Sequence, residues 1–76
     1  MTPNEIVSKT SAMLASKYRL AIMVRGDKAV VIDSKRNICA EISDQPVFGV
    51  QVEQKYQGRK VLMGSLVVRD ILDALR

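Results

Sequence analysis

Histidine and tryptophan are absent from this chain, and cysteine occurs once, at Cys39. Without histidine, the usual general acid or base near neutral pH is missing. One thiol excludes an intrachain disulfide, and alone it cannot supply the several soft ligands that a zinc site needs. Neither a metal nor another cofactor is expected. Long apolar runs are missing too. No stretch approaches the roughly 20 apolar residues that span a bilayer, and "MTPNEIVSKT" has no basic segment leading into an apolar one. The expectation is a cytoplasmic, non-enzymatic protein without membrane contact.

What is present is one domain over residues 1–76, with 47 % hydrophobic residues and a net charge of +4. A domain of this size buries only roughly 60 % of the surface its unfolded chain exposes. With disulfide and metal excluded, self-association is the remaining route to further burial, and a homo-oligomer is expected. The positive balance favours acidic partners, either nucleic acid or an acidic protein surface.

The opening "TPNEIVSKTSAMLASKY" carries the start signals of a helix. Thr2 caps, Pro3 fits the first helical position, and Glu5 completes a capping box. Ile6, Thr10, Met13 and Leu14 form an apolar stripe, with Glu5 and Lys9 paired on the outer side. The period then shortens. "RLAIMVR" and "KAVVIDS" read as a hairpin about Gly26 and Asp27, followed by the alternating "ICAEIS" and "VFGVQVEQ". In the third segment Cys39 falls with Glu41 and Ser43, on a face where a thiol is accessible. "RKVLM" is a last short strand after a turn at Gly58. Ser65 then caps a closing helix whose Val68, Ile71, Leu72 and Leu75 share one face. The order predicts an α+β fold: an N-terminal helix, an antiparallel meander of four or five strands, and a C-terminal helix, with both helices on one face of the sheet.

Successive turns of a meander fall on alternate ends of the sheet. One end therefore collects Lys17, Arg19, Lys35, Arg36, Lys55, Arg59 and Lys60, seven of the twelve cations, with Tyr18 and Tyr56 beside them. Cations interleaved with tyrosine suit a surface that contacts phosphates and stacks bases. The candidate nucleic-acid-binding residues are Lys17, Arg19, Lys35, Arg36, Lys55, Tyr56, Arg59 and Lys60. Turns are wet and rich in lysine and arginine in any soluble protein, so the same residues also read as solvated loops. Asp70 and Asp73 read as a charged outer helix face paired with Arg69 and Arg76, not as a catalytic carboxylate pair.

A second reading starts from apolar surplus. "LAIMV" and "AVVI" are apolar on both faces, while two helices cover only one, which leaves residues such as Val31 and Ala21 facing outward. Such a face suits a protein partner or a second copy, and makes the chain an adaptor, inhibitor or assembly factor.

The ordering of helix, meander and helix is similar to the double-stranded RNA-binding domain, and "VFGVQV" before a glycine turn resembles one of its strands. That family has three strands and a basic run opening its last helix. This chain reads "SLVVRD" there, so no RNA-contacting residue carries over. "GSLVVRDILDAL", residues 64–75, resembles the strand-to-helix ending of a nucleotide-binding CBS motif, but the strand-helix-strand order of that motif is missing upstream.

Overall fold

The computed structural model describes residues 1–76. Helix α1 spans Pro3–Met13 and opens on the capping box: the Thr2 hydroxyl accepts from the Glu5 amide at 3.2 Å, and the Thr2 amide donates to the Glu5 carboxylate at 3.3 Å. Thr10 can sit fully buried in the apolar stripe because its hydroxyl donates back to the Ile6 carbonyl at 2.7 Å. Glu5 and Lys9 do not form the anticipated ion pair. Glu5 is engaged in the cap. The helix widens into a π-helical turn over Leu14–Tyr18 and stops at Arg19, whose φ of 56° is left-handed.

Strands β1 (Ala21–Arg25), β2 (Lys28–Ile32), β3 (Ile38–Gln45) and β4 (Gly49–Gln54) form one antiparallel sheet in sequence order. Ala29 pairs with Ile42 and Val31 with Ala40, so these four residues share a face. They enter the same core as Ile6 of α1, Leu14 of the π-helical turn, and Val67, Ile71 and Leu75 near the C-terminus. Helix α2 (Ser65–Ala74) therefore lies on the same face as α1. This is the α+β arrangement that the patterning predicts, with four strands in the meander.

Four local expectations are corrected. "RKVLM" adds no fifth strand to the meander. β5 (Tyr56–Gln57) and β6 (Lys60–Val61) form a separate hairpin, in which Gly58 supplies the φ of 64° at the first turn position. Second, Cys39 is an extra residue between the pairs Val31–Ala40 and Ile32–Ile38, and this bulge turns it into the core. It is fully buried, and burial pushes its thiol above the ordinary value. Third, Val31 faces the helices at 0 % exposure, and Val30, paired with Glu41, takes the open face instead. Ala21 is exposed as anticipated. Fourth, α2 is preceded by Gly64 without a side-chain cap, and its stripe centres on Val67, Ile71 and Leu75. No helix is long and apolar enough to cross a membrane.

Candidate nucleic-acid interface

The β2–β3 connection is organised by Asp33. One carboxylate oxygen accepts from the Lys35 and Asn37 amides, each at 2.9 Å, and the other accepts from the Asn37 side-chain amide at 3.1 Å. These bonds hold the carboxyl below its ordinary value, the Asn37 amide contributing most. Asp33 thus bonds the loop's own amides, and neither Lys35 nor Arg36 is ion-paired. Arg36 takes the left-handed position of the loop at φ 65°.

The β5–β6 hairpin is tied to the sheet by two backbone bonds. The Lys55 amide donates to the Cys39 carbonyl at 2.9 Å, and the Leu62 amide donates to the Lys55 carbonyl at 3.0 Å. The Gln54 side-chain amide adds a bond to the Met63 carbonyl at 3.1 Å. This docking brings the hairpin against the Asp33–Asn37 loop. Between them lies a cleft of about 330 Å³ with Lys35 on one wall and Lys60 on the other, floored in part by Leu62. Ser34, Asn37 and Gln57 line it with neutral hydrogen-bonding groups, and Asp33 lines it too, its carboxylate taken up by the amides of Lys35 and Asn37.

The eight candidate residues separate into two groups. Arg19, Lys35, Arg36, Arg59 and Lys60 are exposed and make no ion pair, and Tyr56 is 62 % exposed. Lys17 and Lys55 are committed elsewhere. Lys17 donates to Asp70 at 2.7 Å, beside the Tyr18 hydroxyl, which bonds the same carboxylate oxygen. The Lys17 bond, then the Tyr18 bond, lowers the Asp70 carboxyl to about 2. Lys55 lies 3.2 Å from Glu53 and 3.6 Å from Glu41, two carboxylates that face each other across β3 and β4. Its proton is held more tightly than usual, chiefly through Glu53. Charge repulsion between directly opposed glutamates is what Lys55 offsets.

The structure brings Lys35 and Lys60 to one cleft, and sequence pattern does not show the ion pairs of Lys17 and Lys55. The Lys17–Asp70 contact joins residues 53 apart, and the π-helical turn that positions Lys17 leaves no signature in spacing. Asp73 lies on the outer face and pairs with Arg76 at 3.8 Å, as expected. Asp70 lies 3.5 Å from Arg69, but its side chain is only 12 % exposed and faces Lys17 and Tyr18, so it does not belong to a solvated outer face. No cluster of metal-ligating side chains is present. What the arrangement offers chemically is two unpaired lysines, Lys35 and Lys60, at a polar cleft, able to donate charge-assisted hydrogen bonds to anionic oxygens. Comparisons with protein-family models, with curated proteins and with solved structures find no match to this chain.

Proposed function

We propose that this protein binds nucleic acid without catalysis, by contacting the phosphate backbone at the basic end of its sheet. The observation that carries the reading is the cleft between the two docked loops, lined by Lys35 and Lys60, neither of which has an acidic partner; their chain neighbours Arg36 and Arg59 are exposed and likewise unpaired. Arg19 extends this surface from the end of the first helical segment, and exposed Tyr56 adds a ring on which a base can stack. Lys17 and Lys55 act as structural supports behind it. Fixed charge with few base-reading groups favours affinity over sequence selection.

The test is binding of an oligonucleotide as a function of salt. Each phosphate contact contributes about 0.7–0.9 to the slope of log affinity against log salt. Replacing Lys35, Arg36, Arg59 and Lys60 together by glutamate should weaken binding and flatten that slope by about 3 or more. Unchanged affinity in the quadruple variant would remove the proposal. The alternative reading, a protein-binding adaptor that uses the apolar open face, keeps as its support the half-exposed Met23. The rest of that face is less favourable to it: Val30 is 2 % exposed, and Glu41, Ser43, Gln51 and Glu53 make the other half polar.

A further inference from the structure

Of the two edges of the four-stranded sheet, only one is protected. β4 begins at Gly49 in a left-handed conformation and carries Glu53, and both features discourage another strand from pairing. β1, Ala21-Ile22-Met23-Val24-Arg25, has neither proline, glycine nor bulge, and its only charge is at its end. Met23 and Val24 point to opposite faces and are 50 % and 41 % exposed, so the edge is open from both sides.

The backbone of β1 is half unsatisfied. Arg25 and Lys28 flank a two-residue turn and form a hydrogen-bonded pair, so by alternation Met23 and Ala21 also bond β2. The amides and carbonyls of Ile22 and Val24 point away, and no bond outside the hairpin reaches them. They form a short template for a further strand.

We propose that this edge pairs with the same edge of a second copy, antiparallel about a two-fold axis at Met23, to give a continuous eight-stranded sheet. Three features favour a second copy as the occupant. The register Ile22 to Val24, Met23 to Met23 and Val24 to Ile22 matches bonding groups with bonding groups, so four backbone hydrogen bonds form between apolar partners. Arg25 falls opposite Ala21, whereas centring on Ile22 would set Arg25 against Arg19. Continued past the strands, the register also brings Asp27 of each copy level with Arg19 of the other. Both residues are exposed and have no ion-pair partner within the chain. The charge pattern is therefore self-complementary at both ends of the ladder. An axis perpendicular to the sheet keeps all four helices on one side and puts the two basic ends at opposite corners, so the assembly presents two separate positive surfaces. The dimer stands whether or not those surfaces bind nucleic acid.

The test is sedimentation equilibrium of the full chain. The wild type should be a dimer in exchange with monomer. In Met23→Lys and in Met23→Glu, like charges meet at the axis about 4.5 Å apart between Cα atoms, and each variant alone should dissociate at least about tenfold more readily. Mixed in equal amounts, the two should dimerise again, a rescue that a folding defect cannot produce. Asp27→Lys, a change on an exposed turn, should weaken the dimer independently. A wild type that stays monomeric at every concentration reached overturns the proposal. So do variants as dimeric as the wild type, a mixture without rescue, or open-ended association, which would indicate β1 pairing with β4.

Discussion

Arg19 and Arg36 are the non-glycine residues with positive φ, and both lie at the basic end of the sheet. A left-handed conformation costs an L-residue roughly 1–2 kcal/mol that glycine escapes. Glycine's extra freedom in the unfolded chain returns about 0.4–1 kcal/mol of that. Arg36→Gly should therefore stabilise the fold by about 0.5 kcal/mol, and raise Tm by roughly 2–4 °C at this chain length. If Arg36 contacts phosphate, the same change should weaken oligonucleotide binding and reduce its salt slope by about 0.7–0.9. Opposite signs in the two measurements distinguish a residue kept for binding from one kept for folding. A fall in Tm together with unchanged affinity would contradict the assignment.

The π-helical turn that follows α1 is latched to helix α2 by Asp70, which is 12 % exposed in its side chain and bonds Lys17 and the Tyr18 hydroxyl. Its carboxyl titrates at about 2 when folded against 3.8 ordinarily, so the stability it provides is present above the ordinary value and lost as pH falls toward 2. Lys17 and Tyr18 are raised by the same carboxylate, and their contribution is present at neutral pH and lost only as pH rises past their ordinary values, 10.5 and 10.0. Asp70→Asn should lower Tm at pH 7 and shrink the further loss of Tm between about pH 4 and pH 2. The acid loss will not vanish, because Asp33 is held below its ordinary value as well. A profile as steep as the wild type's would exclude the latch. How legible each element is depends on how local its determinants are. α1 is plain in sequence because cap, proline and stripe all lie within it, and the hairpin turns are plain because Gly26 and Gly58 occupy first turn positions. β3 is misread because alternation assumes an unbroken ladder, and one extra residue at Cys39 reverses the faces upstream of it. "RKVLM" has the composition of a strand, but its pairing partner is set by Lys55 bonding back to Cys39, a contact between residues 16 apart in sequence that no period encodes. Meander topology puts the end of β4 beside the β2–β3 loop, but the approach of the β5–β6 hairpin to that loop, like the ion pairs of Lys17 and Lys55, needs tertiary contacts that no spacing shows.

At the scale of the whole molecule, charge and apolar surface are separated: cations flank the docked loops, and the bare edge of β1 lies along one side. A chain of 76 residues has a stability of about 4–11 kcal/mol, so association contributes appreciably to it. Cys39 reports this directly. It is fully buried, packs in the core cluster with Ile6, Leu14 and Ile71, and its thiol is held protonated by burial. Modification by a thiol reagent at neutral pH then requires global opening, and should run about a thousandfold or more slower than with a small free thiol. Because dimer formation stabilises only the folded chain, the wild-type rate should fall further as protein concentration rises. The Met23→Lys variant should show no such dependence. A rate near that of a free thiol would mean that the bulge at Cys39 opens locally without the sheet. A rate independent of concentration in the wild type would mean that the β1 edge stays unpaired.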